Sequence, residues 1–157
     1  MIPMKLITED LLNTVTDQAK ENARLRMNHN FHDSMDAPIH RMLNALEPGT
    51  YLPPHRHKNP DKEEIYLILR GDLVAILFDE EGNPAEKINL NPSKGVYGIE
   101  IPPGVWHCIV VRESGTVIYE IKQGPYAPLT PDNLAPWAPD VTDVEGATAF
   151  MKRMLED

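Results

Sequence analysis

The stretch EIYLILRGDLVAILFDEEGN, residues 64–83, decides the fold class. It holds two apolar runs of strand length, EIYLILRG (64–71) and LVAILFDE (73–80), followed by the Glu80-Glu81-Gly82-Asn83 turn. Short Ile-, Leu- and Val-rich runs bounded by Gly and acidic turns read as strands. The same texture extends in both directions, with RMLNAL (41–46) upstream and GVYGIEIP (95–102), HCIVVRE (107–113) and VIYEIKQ (117–123) downstream. Between residues 39 and 123 nothing resembles the long crossover helix that a parallel sheet requires. The expected fold is therefore all-β, an antiparallel barrel or sandwich.

The flanks of this core, taken as residues 39–126, read differently. Within residues 1–38, Thr8 is an N-cap followed by Glu9 and Asp10, and Leu11, Leu12, Val15 and Ala19 recur at helical spacing. Arg24 to Pro38 has no clean period and is read as an irregular segment packed on the core. Residues 127–157 begin as a Pro-rich extended tail in which Leu129, Leu134 and Trp137, with Tyr126 just before them, are expected to pin the chain. They end in a short helix with Ala147, Phe150, Met151 and Met154 on its apolar side. One domain accounts for all three segments.

Composition narrows the function. The chain has 157 residues, and a hydrophobic content of 41% places it with folded rather than disordered chains. Twenty-four acidic against 15 basic residues give a formal charge of -9, which argues against nucleic acid as a partner. No apolar run reaches the roughly 20 residues of a membrane span. The opening MIPMKLITEDLL lacks the basic and apolar regions of a signal peptide, so a cytoplasmic location is expected. Cys108 is the single cysteine, which excludes an internal disulfide and a Cys-rich zinc site.

The chemistry concentrates in Gly49-Thr-Tyr-Leu-Pro-Pro-His55-Arg-His57, then Glu64 and Gly71, and in Pro102-Pro-Gly-Val-Trp-His107. On a strand, His55 and His57 point to one side and Arg56 to the other. The choice between Glu63 and Glu64 is a choice of face, and Glu64 shares its face with Tyr66. His55, His57, Glu64 and His107 together offer three imidazoles and a carboxylate. That set suits a divalent transition metal (Zn, Fe, Mn, Ni or Co) and not Ca²⁺. Glu120, on one face of VIYEIKQG with Ile118 and Lys122, is read either as a cavity-lining proton-transfer group or as a solvated side chain. Tyr66 is expected in the same cavity, as packing or as a hydroxyl reaching substrate. Arg24, Arg26 and Arg41 are read as surface groups or as part of a lid that grips a carboxylate or phosphate. Cys108 should face away from His107 as core filler.

The two motif segments resemble the paired motifs of cupins: Gly49, His55, His57, Glu64 and Gly71 for the first, and Pro102, Gly104 and His107 for the second. Six residues, KNPDKE, separate His57 from Glu64 and are expected to loop outward. More of the chain is similar to the WbuC family of cupin-fold metalloproteins, through NHNFHDS, RMLNALEPGTYLPPHRH, IPPGVWH and YEIKQGPYAPLTPDNLAPWAP. The resemblance implies a jelly-roll β-barrel holding one divalent metal on His55, His57, Glu64 and His107. It also implies a setting among surface-polysaccharide (O-antigen) genes and a homodimer. The functional expectation is a small-molecule enzyme acting on a sugar or related hydroxy or oxo compound, as a metal-dependent isomerase, epimerase or dioxygenase. The alternative is a noncatalytic metabolite-binding or regulatory module.

Overall fold

The computed structural model describes residues 2–156. The Thr8 hydroxyl accepts from the Leu11 amide at 3.1 Å and starts helix α1 (Glu9–Glu21), as its cap position requires. The strands are β1 (Arg26–Asn30), β2 (Ile39–Leu46), β3 (Glu64–Arg70), β4 (Leu73–Phe78), β5 (Pro84–Leu90), β6 (Gly98–Ile101), β7 (Trp106–Val111) and β8 (Thr116–Gln123). Helix α2 (Val144–Leu155) follows, capped by the Asp143 carboxylate at the Gly146 amide. The strands form a five-stranded sheet ordered β1-β2-β8-β3-β6 and a three-stranded sheet ordered β5-β4-β7, with antiparallel pairing throughout. Among the described residues no helix is long and apolar enough to cross a membrane.

Strand alternation sorts the side chains into three packed interfaces. Leu46, Tyr66, Ile68, Leu73, Ala75, Ile109, Val111 and Ile118 fill the space between the sheets. On the outer face of the smaller sheet, Val74, Ile76, Phe78, Cys108 and Val110 meet Phe150 and Met154 of α2. On the outer face of the larger sheet, Leu43, Ala45 and Val117 meet Leu12, Val15 and Ala19 of α1. Strands β4 and β7 are thus covered on both faces, which is why LVAILF and CIVV are continuously apolar rather than alternating. Cys108 lies in the α2 interface, and burial pushes its thiol up, away from thiolate chemistry.

Two strands depart from the expectation. The segment read as irregular contains β1, which pairs with β2 from Arg26↔Leu46 to Asn30↔Met42. PAEKINL forms β5, the partner of β4, although no apolar run marks it. Both lie at sheet edges, where one flank and most of one face meet water and polar residues are tolerated. The Pro-rich tail is held by Trp137, which packs on Phe78 at 4.8 Å between ring centroids, and by the buried Asn133, which donates to the Lys58 carbonyl, whereas the Tyr126, Leu129 and Leu134 side chains remain exposed.

Candidate metal centre

The four expected ligands are delivered by three local devices, His55 and His57 sharing one segment. The Gly49–His57 segment carries no named strand; instead His55 makes an isolated bridge with His107, exchanging N–H···O bonds of 3.0 and 2.9 Å. His107 belongs to β7, just after the Gly104 turn, whose left-handed φ of 78° suits glycine. Glu64 opens β3 with its side chain 2% exposed, and Glu63 is exposed, so strand phase selects the inward carboxylate. The KNPDKE insertion turns outward between them: residues 58–61 are exposed, while Lys62 folds back and donates to the Pro125 carbonyl.

One ligand atom from each of His55, His57, Glu64 and His107 can be chosen so that all lie within 4.8 Å of one another. Glu64 Oε2 is 2.9 Å from His107 Nε2 and 3.2 Å from His57 Nε2. Two ligands held at about 2.1 Å from one ion at right angles lie about 3 Å apart, so this spacing fits a shared ion. The tautomers fit as well. His55 Nδ1 and His107 Nδ1 each donate to a backbone carbonyl, Pro53 O at 3.0 Å and Val105 O at 2.9 Å, which leaves both Nε2 lone pairs available. His57 Nε2 is buried without a hydrogen-bond partner, as a nitrogen awaiting a cation would be.

Electrostatics favour the ligating forms. Burial, and then the neighbouring His107, push the His55 imidazole down to about 3, so it is neutral at physiological pH. Burial pushes the Glu64 carboxyl up, but the His107 and His57 imidazoles beside it outweigh that and hold the group well below the usual carboxylate range. A neutral His55 imidazole and an ionised Glu64 carboxylate are forms that a divalent ion needs.

A cavity of about 230 Å³ opens beside the cluster, lined by Asn44, Leu52, Tyr66, Ile109, Ile118, Glu120, Lys122, Tyr126 and Leu129. Glu120 is buried there, and Asn44 Nδ2 donates to its Oε2 at 3.4 Å. Burial, and then the Glu64 carboxylate, push the Glu120 carboxyl up to about 8, against the pull of Lys122. Tyr66 donates to Glu64 Oε2 at 3.3 Å, and burial pushes its phenol well above its ordinary value, so it stays a donor.

The arginines do not join this site. Arg24 and Arg26 line a separate cavity of about 380 Å³ with Tyr51, Ala147 and Met151, and Arg26 donates to Thr50 Oγ1 and the Tyr51 carbonyl. Arg26 opens β1 and Arg24 lies just before it, at the edge of the larger sheet. Arg41 occupies the face of β2 opposite Asn44, with its Nε 3.5 Å from the Ile39 carbonyl. The cavity mouth is formed instead by Tyr126, Ala127 and Leu129 of the Pro-rich segment. Arg56 does point away from the two histidines, as alternation demands, but it lies over the Trp106 ring at 4.2 Å rather than free in solvent. Sequence reasoning missed Asn44 and Lys122. Lys122 was legible as the face-mate of Glu120, and Asn44 as the one polar interruption of RMLNAL.

Residues 7–90, just over half of the chain, match the family described as a domain of unknown function (DUF6016), and the chain belongs to that family. No curated protein matches it in sequence. Among solved structures it is similar to TT1209 from Thermus thermophilus, with TM-score 0.54 and 20% identity over 76% of this chain and 97% of that one. KdgF from a Halomonas species gives TM-score 0.51 and 17% identity, over 65% of this chain and 82% of that one. A cupin superfamily protein from Desulfitobacterium hafniense gives 0.50 and 18%, over 62% and 76%. At these identities the likeness shows the fold, which is the jelly-roll barrel of the cupins.

Proposed function

We propose that this chain is a divalent-metal cupin of WbuC type that acts on a small hydroxy or oxo compound of the carbohydrate class, in surface-polysaccharide metabolism. His55, His57, Glu64 and His107 hold the ion, and Glu120 transfers the proton. The observation that carries the reading is that four ligating side chains, with ligand atoms within 4.8 Å of one another, adjoin a cavity that also holds the buried Glu120 carboxyl. A buried acid beside a Lewis-acid site is placed for proton transfer.

When bound, a divalent ion supplies Lewis acidity toward a carbonyl or hydroxyl oxygen. The rest of the work belongs to this chain. Glu120, buried in the cavity, gives a proton to or takes one from a carbon or oxygen of the ligand. Asn44 orients its carboxyl through the Nδ2 hydrogen bond, and the Tyr66 hydroxyl steadies Glu64. Leu52, Ile109 and Ile118 line the remaining wall and limit water.

Elemental analysis of tag-free protein tests the metal. Stoichiometric ion is expected in the wild type and its loss in His55→Ala and His107→Ala; equal metal content in all three overturns the site. Exchange of substrate C–H for deuterium, followed by NMR over a panel of small sugars and hydroxy acids, tests Glu120. Exchange is expected in wild type and abolished in Glu120→Gln. Tight binding without exchange would identify a noncatalytic sensing module.

A further inference from the structure

The metal cavity is small. Its volume of about 230 Å³ falls below the roughly 300–1,000 Å³ of pockets that take drug-sized ligands. It equals the space of about seven or eight liquid waters. A ligand enclosed there is no larger than a hexose, and a nucleotide-linked sugar cannot be enclosed whole.

Its charge is also distinctive, because the cavity sets Lys122 beside the metal ligands in a protein of net charge -9. Strand register places Lys122 opposite Glu64 on β3 and opposite His40 on β2. The ammonium lies 3.9 Å from Glu64 Oε1, outside hydrogen-bond reach, and the side chain keeps 22% of its exposure. The neighbouring Lys62 is committed, since its ammonium donates to the Pro125 carbonyl. Once Glu64 shares its charge with a divalent ion, Lys122 is left as a cation facing the cavity with an unmet demand for an anion. A divalent ion, the Glu64 carboxylate and the Lys122 ammonium sum to a positive site, and Glu120 cancels that charge only partly even when ionised.

We infer that the cavity selects small anions, namely hydroxy or oxo carboxylates of hexose size or less, with the carboxylate on Lys122 and a hydroxyl or carbonyl oxygen turned toward the His55, His57, Glu64 and His107 cluster. The inference rests on the metal reading above and narrows the carbohydrate class to sugar acids and their smaller relatives. Lys122 is here a specificity-determining residue. The low dielectric of the cavity strengthens its pairing with a carboxylate, and apolar Leu52 and Ile118 offer a neutral polyol nothing in exchange for its lost water.

The test uses tag-free protein reconstituted with Mn²⁺ or Zn²⁺, with metal content measured before calorimetry. Glycerate and lactate are titrated against the neutral glycerol and propane-1,2-diol. The acids are expected to bind more tightly than the diol and triol by about tenfold or more, the scale of one charge-assisted hydrogen bond. Lys122→Met should lose that preference at unchanged metal stoichiometry, and Lys122→Arg should keep it. Equal affinity for acids and neutral compounds in the metal-loaded wild type, or an undiminished preference in metal-loaded Lys122→Met, overturns the inference and leaves the metal site standing. A wild type that takes up no metal fails at the first measurement and removes both. Should Lys122→Met lose metal or fold, loss of the preference in a folded, metal-loaded Lys122→Gln supports the inference, and its retention there overturns it.

Discussion

Replacing Glu120 by Gln in metal-stripped protein should remove a loss of stability on raising the pH, with a sign fixed by the burial of this carboxyl. In the fold Glu120 titrates near 8, against an ordinary value of 4.5 in the unfolded chain. Between those values the folded state holds a proton that the unfolded state releases. The group's contribution is therefore complete below pH 4.5 and is lost as pH rises through 8. Linkage sets the slope at about 1.4 kcal/mol per pH unit for one proton. From pH 5.5 to 7.5 the wild type should thus lose about 2 to 3 kcal/mol relative to Glu120→Gln, which keeps the shape and the Asn44 contact without the charge. His55 acts in the opposite direction, because a group held down to about 3 gains stability as the unfolded imidazole deprotonates up to 6.5. Both proteins carry His55, so its effect cancels in the difference. Urea denaturation with chelator at pH 5.5, 6.5 and 7.5 measures that difference directly. A stability gap between variant and wild type that stays constant across the three would refute the reasoning, since it would mean that Glu120 is solvated or already ionised.

Two further outcomes probe the frame around the site. Gly71→Ala should destabilise by about 2 kcal/mol or more in urea, because φ is 97° and a Cβ would sit 2.6 Å from the Thr116 Cα. Gly104→Ala, with φ of 78° but open space around it, should cost only about 1 to 2 kcal/mol, and equal losses would argue against the packed Gly71 corner. Phe150→Ala should cost about 3 to 5 kcal/mol, as it empties the centre of the α2 interface against Phe78 and Val110. A loss under about 1 kcal/mol would mean that α2 is not docked on the sheet.

Where the chain carries its own local signal, sequence and structure agree. The α1 cap, the paired apolar runs of β3 and β4, the face of Cys108 and the inward phase of Glu64 rather than Glu63 follow from short-range periodicity, because side-chain direction repeats every two or 3.6 residues whatever the partner. The four candidate ligands were legible from their motif spacing, although His55 and His57 lie outside any strand, and a Pro-Gly corner precedes His107. The edge strands β1 and β5 were not, since polar residues such as Asn28, His29, Glu86 and Lys87 satisfy an edge as well as they satisfy a loop.

Sequence alone determined which side chains could ligate a metal and which faces of the central strands are apolar. Tertiary structure alone decided which side chains share a cavity. It sent Arg24 and Arg26 to a different pocket, brought Asn44 of β2 to Glu120 and set Lys122 of β8 opposite Glu64. Residue spacing marks the face of a strand but not its neighbours, because sheet order and register bring together residues tens of positions apart. The charge a buried group keeps then depends on those neighbours and not on its own segment.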